Sequence, residues 1–266
     1  MADVRIATWN VNSIRSRIDR VMTWLERNEV DAIAIQETKA REDQFPFESF
    51  EALGYEVAHH GLNQWNGVAI ASRVGLSDVQ VGFDAMPGWG EPAATEARAI
   101  GAVCGGVRLW SLYIPNGRSL EDPHLTYKLE WLAALEASAR EWLADDPAAQ
   151  IALLGDWNIA PTDADVWSVP YYEGRTHTSP AERAAFEAVV DAGFSDVVRP
   201  HTSEPGTFTY WDYTQLRFPK RQGMRIDFAL CSPALAARVV GAAIDREERK
   251  GKGASDHAPV VVEIAD

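Results

Sequence analysis

Residues Ile151 to Pro161 read I-A-L-L-G-D-W-N-I-A-P. The run Ile151-Ala152-Leu153-Leu154 is short, apolar and bounded by Gly155 and Pro161, which predicts a strand buried on both faces. Asp156 and Asn158 follow where that strand should end. A carboxylate at the edge of an apolar core costs several kcal/mol unless a metal, a cation or hydrogen-bond donors receive it. Asp and Asn are also ordinary turn and helix-cap residues, so this stretch alone leaves a simple turn open. What favours a site is that other segments end in the same way.

Val4 to Asn10 alternates and ends in Asn10, with Asn12 two residues on. Between Ser13 and Asn28, residues Ile14, Ile18, Val21, Met22 and Leu25 have helical spacing. Asp31 to Gln36 reads as a second strand, with Glu37 directly after it. This β–α–β order predicts a layered α/β build. Arg41 to Phe50 reads as a loop or short helix, and Tyr55–His59, Asn66–Ser72 and Leu76–Val81 read as strands. Ala97–Cys104 and Val107–Tyr113 predict a hairpin across Gly105-Gly106, with Tyr113 opening the string Y-I-P-N-G. Asp122-Pro123 is a helix start, and Leu125, Leu129, Leu132, Leu135 and Trp142 then line one face.

Beyond the central strand, Trp167 to Arg175 reads as an aromatic loop and Pro180 to Ala192 as a helix. Thr207 to Met224 is an aromatic and basic connection, and Arg225–Cys231 a strand carrying Asp227. Ser255-Asp256-His257-Ala258-Pro259 precedes the last strand, Val260–Ile264. Trp9-Asn10-Val11 echoes Trp157-Asn158-Ile159, which suggests two similar halves packed face to face. No linker, repeat or low-complexity segment interrupts the 266 residues, so a single domain over 1–266 is expected.

The composition, 46% hydrophobic and 24% charged, is that of a globular protein. Cys104 and Cys231 sit in apolar runs without framework spacing and read as buried free thiols of a reducing compartment. No apolar leader and no bilayer-length apolar run is present, so a soluble, cytoplasmic protein without membrane contact is expected. The net charge of −14 argues against a nucleic-acid partner unless cations gather locally.

Asn10, Glu37, Tyr113, Asp156, Asn158, Asp227, Asp256 and His257 all lie at or just past the ends of short apolar strands. Two packed sheets presenting those ends on one rim would gather them into one acidic pocket. Hard oxygen ligands suit Mg²⁺, or Mn²⁺ in its place, and not zinc. Singly, each residue has an ordinary reading. Glu37 fits a solvated turn, Asp227 a salt bridge to Arg225, His257 a strand cap, and Tyr113 a core ring. Jointly those readings require many coincidences.

The chain resembles the exonuclease III family of abasic-site endonucleases, within the endonuclease/exonuclease/phosphatase superfamily. The matching strings are T-W-N-V-N-S-I-R (8–15), I-Q-E-T-K (35–39), L-Y-I-P-N-G (112–117), L-L-G-D-W-N-I-A-P (153–161), G-T-F-T-Y-W-D-Y (206–213), M-R-I-D-F (224–228) and S-D-H-A-P (255–259). The resemblance implies a four-layer α/β sandwich, with two mixed sheets face to face between helices. It implies that Glu37 is the principal Mg²⁺ ligand, in a metal set completed by Asn10, Asp156, Asn158, Asp256 and His257. Asp156 is then the residue that positions or deprotonates water, with Asn158 and Asn10 orienting water and phosphate. His257, held by Asp227, donates to a phosphate oxygen, and Tyr113 contacts the phosphate.

The implied reaction is hydrolysis on the 5′ side of an abasic site in duplex DNA, leaving a 3′-hydroxyl. Exonuclease and 3′-end-cleaning activities accompany it, and the protein is expected to act as a monomer. Aromatics and cations interleave over Tyr210 to Arg225, as a distorted duplex calls for. The residues expected to contact DNA are Asn12, Arg15, Lys39, Asn116, Trp211, Arg217, Lys220 and Arg221. The acidic excess is expected on the opposite side and at the metal. The acidic charge leaves one rival, a metal-dependent phosphatase or phosphodiesterase acting on a small or lipid phosphoester.

Overall fold

A computed structural model describes residues 4–265. The chain lays down β1 (Val4–Asn10), α1 (Ile14–Asn28), β2 (Ala32–Gln36), α2 (Phe47–Glu51), β3 (Glu56–His60) and β4 (Val68–Ser72). It continues through β5 (Ser77–Val81), β6 (Ala99–Cys104), β7 (Val107–Tyr113), α3 (Pro123–Asp145) and β8 (Ile151–Asp156). Then come α4 (Val169–Tyr172), α5 (Pro180–Asp191), β9 (Ser195–Asp196) and β10 (Asp227–Cys231). After α6 (Pro233–Ala236), β11 (Val239–Ile244) and β12 (Val260–Ile264) close the chain.

These strands form two six-stranded sheets, ordered β11-β12-β1-β2-β4-β3 and β5-β6-β7-β8-β10-β9. Both are mixed, because β1 pairs with β2 and β7 with β8 in parallel, while their other neighbours run antiparallel. The sheets pack face to face over Ile6, Ala34, Val68, Ile70, Leu109, Leu154 and Ala229. Trp9, Ile33 and Ile35 turn to the other face of the first sheet and meet Trp24 and Leu25 of α1 and Phe50 of α2. Trp110, Leu153 and Phe228 meet Trp131 and Leu132 of α3 and Phe186 of α5 on the far face of the second sheet. Period-two alternation along each strand therefore fills three apolar layers and yields four layers of structure. Among the described residues, no helix is long and apolar enough to cross a membrane.

The sequence-based elements hold, with three differences. The strand foreseen from Arg225 starts at Asp227, because Arg225 turns away to pair with Asp165 and Asp196. The loop foreseen over Trp167 to Arg175 contains the short α4, capped by the Ser168 hydroxyl. The Trp-Asn echo is out of register. Asn10 is the last residue of β1, whereas β8 ends at Asp156, so Trp9 precedes and Trp157 follows the terminal polar residue.

That register positions the site. Ile6, Thr8 and Asn10 share the inner face of β1, as Ala152, Leu154 and Asp156 do on β8. Asp227 begins the inner row of β10, Gln36 ends that of β2 and Tyr113 that of β7. A buried polar layer lies one step in. Thr8 Oγ1 donates to Gln36 Oε1 (3.2 Å), and Gln36 Nε2 donates to Ser111 Oγ (3.0 Å). The intersheet core thus ends in side chains that can receive one another rather than in apolar surface.

Two features hold the strand ends in place. Gly155 lies opposite Leu112 with φ of 153°, and an added Cβ would come within 1.9 Å of the Leu112 carbonyl oxygen. Lys128 of α3 is fully buried; its Nζ donates to the backbone carbonyl of Asn158 (2.6 Å), that of Asn116 (3.3 Å) and Glu182 Oε1 (2.6 Å). Glu182 also accepts from Thr176 Oγ1 (2.8 Å), the His177 N–H (2.9 Å) and Ser179 Oγ (2.7 Å). Burial alone would raise the Glu182 pKa, but Lys128 and these donors bring it down to about 2. One buried ion pair therefore ties the loops after β7 and β8 to the start of α5.

Gly155→Ala is expected to cost about 3 kcal/mol or more through overpacking and backbone strain, read as a lower urea midpoint. Lys128→Met leaves Glu182 buried and uncompensated and is expected to cost about 3–5 kcal/mol. Because the Glu182 pKa is depressed on folding, its contribution is present above the ordinary carboxylate range and is lost as pH falls from about 4.5 towards 2. Acid melting curves should flatten over that window in Glu182→Gln, and an unchanged slope would overturn this assignment.

Candidate active site

Where the sheets meet at the rim, Asn10 is the bridge between them. Its Nδ2 donates to Glu37 Oε1 (2.8 Å) and to Asp156 Oδ2 (2.9 Å), so one amide from β1 spans both sheets. The other Asp156 oxygen accepts the Asn158 N–H (2.9 Å), which requires the left-handed turn at Asn158 (φ 50°). Glu37 also sits in the left-handed region (φ 51°), and its carbonyl accepts the Ser13 N–H (2.7 Å). Sharp turns directly after β2 and β8 thus aim both carboxylates inward.

Asp227 enters from β10 and bonds His257 Nδ1 through both oxygens, at 2.8 and 3.1 Å. His257 Nε2 then faces Asp156 Oδ2 at 3.7 Å. The string S-D-H-A-P is explained by its contacts. Ser255 Oγ donates to the Asn10 carbonyl (2.7 Å) and accepts the His257 N–H (3.2 Å), and the Trp9 indole N–H donates to the His257 carbonyl (3.2 Å). The Tyr210 ring lies 4.9 Å from the imidazole. Asp256 stands beside this group and accepts from Asn12 Nδ2 (3.0 Å).

Burial and like charge govern the electrostatics. Burial, together with Asp227 and Glu37, raises the Asp156 pKa to about 7 against the opposing pull of His257. Burial alone would lower the His257 pKa, but Asp227 and Asp156 lift it to about 10, so the imidazolium persists at neutral pH. Glu37 stays below its usual range despite burial, because Lys39 Nζ lies 2.8 Å away and Asn10 donates to it. Burial and the Glu37 carboxylate hold the Tyr113 phenol well above its usual value, so it remains a donor. The Arg98 guanidinium packs 4.9 Å from the centre of the Tyr113 ring.

Glu37, Asp156 and His257 bring potential ligand atoms within 4.8 Å of one another. Two facing carboxylates in a buried site fit a hard divalent cation. Asn10 turns its Oδ1 towards the Asn12 N–H (3.0 Å), while its amide nitrogen serves the two carboxylates. Asn158 is engaged too: Oδ1 accepts from Asn116 Nδ2 (3.0 Å) and Nδ2 donates to the Ile114 carbonyl (3.0 Å). His257 has one nitrogen on Asp227 and is charged. The carboxylates best placed for a metal are therefore those of Glu37 and Asp156, while Asp256 accepts from Asn12 on Oδ1 beside them.

Of the expected DNA contacts, Arg15 is exposed in the first turn of α1, Asn116, Lys220 and Arg221 are exposed on loops, and Asn12 and Lys39 are half-buried beside Glu37. Trp211 is a correction. It is 1% exposed and packs among Phe208, Phe218 and Ala258, so its ring is core and meets no DNA. The aromatic loop was legible, but not which of its rings turns inward. Arg217 is largely buried, stacked on Trp167 (5.1 Å) and Tyr171 (4.6 Å). Ser255, Tyr210, Arg98, Lys128 and Glu182 were not anticipated. Ser255 and Tyr210 lay in quoted strings and Glu182 in the capping pattern Ser179-x-x-Glu182, whereas Arg98 and Lys128 carry no local signal.

Residues 7–257 match the profile of the Endonuclease/Exonuclease/phosphatase family. The chain is 30% identical to exodeoxyribonuclease III of Haemophilus influenzae over 276 aligned positions, covering 98% of this chain and all of that protein (100%). The fold superposes on the 3′ phosphatase NExo from Neisseria bound to a product DNA hairpin, with a TM-score of 0.93, 36% identity, and 99% and 100% of the two chains covered. An AP endonuclease from Archaeoglobus fulgidus gives a TM-score of 0.91 at 34% identity, covering 98% and 99%. Family profile, full-length identity and rim geometry agree: the chain belongs to the endonuclease/exonuclease/phosphatase family and, within it, to the exonuclease III branch of hydrolases.

Proposed function

We propose that the protein is a Mg²⁺-dependent DNA-repair phosphodiesterase, with Mn²⁺ as a substitute ion. It cleaves duplex DNA on the 5′ side of abasic sites and also trims and cleans blocked 3′ ends. The observation that carries this reading is the Asn10–Asp156–His257–Asp227 chain closed by Glu37 at one rim. The solved Neisseria relative with a DNA hairpin product supports DNA as substrate. The family match over 7–257 supports one catalytic domain, and we take it to act as a monomer.

The distribution of charge supports the same substrate. Exposed Glu130, Glu141, Asp145, Glu187 and Asp191 lie on α3 and α5, on the outer layer behind the second sheet. Arg118, Arg175, Lys220, Arg221 and Lys252 are exposed on loops, and Arg15 is exposed at the start of α1. Two of these positions follow site strands closely, Arg15 after Asn10 and Arg118 after Tyr113. A chain of net charge −14 therefore still offers phosphates a cationic border. Beside the site a 330 Å³ pocket lined by Tyr210, His177 and Met224 gives a sugar or terminal nucleotide a place next to His257.

Glu37 and Asp156 would hold the divalent ion, and the ion would supply charge neutralisation at the phosphate and activation of water. The His257 imidazolium, oriented by Asp227, donates from Nε2 to a phosphate oxygen. Asp156, fixed by Asn10 and facing His257 Nε2, orients the attacking water and takes its proton. Asn10 keeps the two carboxylates at a fixed separation. Tyr113, still protonated, donates to the phosphate beside Glu37.

The test is a labelled duplex with one abasic analogue, incubated with Mg²⁺ or EDTA and resolved on a sequencing gel. A Mg²⁺-dependent cut 5′ to the lesion is expected, with roughly 10²–10⁴-fold slower cleavage by Asp156→Asn and His257→Ala. A 3′ ladder without that cut would make end trimming the main activity. Undiminished cleavage by both variants would exclude this pocket. Phosphate release from small or lipid esters without DNA cleavage would establish the rival reading.

A further inference from the structure

A second cleft lies behind the Tyr113 wall of the site, and the proposed reaction makes no use of it. It encloses about 540 Å³, within the range of small-ligand sites, and two indoles line it. Trp65 is 64% exposed, and its backbone N–H donates to Asn63 Oδ1 (2.7 Å), closing a turn in the β3–β4 connection that carries the ring. Trp89, half-buried, is backed by His124 at 4.8 Å and Tyr127 at 5.3 Å between ring centres. A large exposed aromatic beside a second one across a cleft is unusual for a surface that binds nothing.

The cleft is joined to the site by two walls. Asn66 accepts the Lys39 N–H on its carbonyl (2.9 Å) and donates from Nδ2 to Glu96 Oε1 (2.9 Å). Glu96 accepts from Arg98 Nε (2.6 Å), and Arg98 lies against Tyr113. Glu96 is therefore already engaged. Arg118, exposed and 5.7 Å from the Trp89 ring centre, borders both this cleft and the Tyr210 pocket. A backbone crossing the site would thus pass Arg118 with a Tyr-lined pocket on one side and a Trp-lined cleft on the other.

We propose that the cleft between Trp65 and Trp89 is a second nucleobase subsite, taking an unpaired base of the substrate strand on the side of the reacting phosphate away from Tyr210. The inference rests on the DNA reading above. Aromatic faces reward bases whose own faces are free, and in an intact duplex those faces are stacked on neighbours. Arg118 supplies a cation for the phosphate between the two subsites. The subsite therefore favours ends with a single-stranded extension or frayed terminal pairs over blunt ends.

The experiment compares one DNA hairpin as a blunt end, with a three-nucleotide 3′ extension, or with the same extension at the 5′ end. The extensions carry 2-aminopurine. Binding is measured by anisotropy with Mg²⁺ in an Asp156→Asn background that limits cleavage. One of the two extensions is expected to bind roughly tenfold tighter than the blunt hairpin, with quenched 2-aminopurine fluorescence. Adding Trp65→Ala should erase both the gain and the quenching, and Trp89→Leu should do the same, with melting temperatures checking the fold. Absence of any gain, or a gain that survives Trp65→Ala, overturns the subsite while blunt-end binding leaves the DNA reading standing. Failure to bind the blunt hairpin as well would take down both.

Discussion

The structure depends on one electrostatic constraint: three carboxylates, Glu37, Asp156 and Asp227, held close together at the end of a dry core. Their mutual repulsion and lost hydration would push such a rim apart or keep it protonated. Three groups answer this. The Asn10 amide gives one proton to Glu37 and one to Asp156, so the two sheets are joined by the groups that would repel. The His257 imidazolium stands between Asp227 and Asp156 and is held charged by both. Lys39 covers the remaining side of Glu37. Burial, with the same crowding, raises the Asp156 pKa to about 7 when no metal is bound.

This constraint explains why so much of the fold is rigid where it nears the rim. Thr8, Gln36 and Ser111 form a satisfied polar layer under the carboxylates, so the transition from apolar core to charged pocket leaves no unmet group between. Lys128 and Glu182 repeat the same solution beneath the loops, with a buried charge pair whose other hydrogen bonds go to loop backbone and to the Thr176 and Ser179 hydroxyls.

The sequence by itself determined the strand and helix order, because period-two runs and helical spacing record which faces must be buried. It also determined the candidate residues at the strand ends, because a polar residue closing an apolar strand has no other inexpensive explanation when it recurs along the chain. Glu37, Asp156, Asp227 and His257 were legible in this way. Charge at the rim was legible only in outline, as cations in loops after site strands.

Only the tertiary structure decided what those residues do to one another. Asn10 read as a metal-set residue that orients water and phosphate, and only the fold shows its nitrogen bridging Glu37 and Asp156, since that depends on partners from residues 12, 37 and 156. Trp211 read as a DNA contact and is core, whereas Trp65 passed unremarked and is 64% exposed. An aromatic side chain carries no local mark of the face it will take. Lys128 and Glu182 lie 54 residues apart, and neither neighbourhood hints at the other. Periodicity is a property of one segment and can be read from it. Burial, pairing and pKa are set by which segments meet, and that is decided by the packing of two sheets.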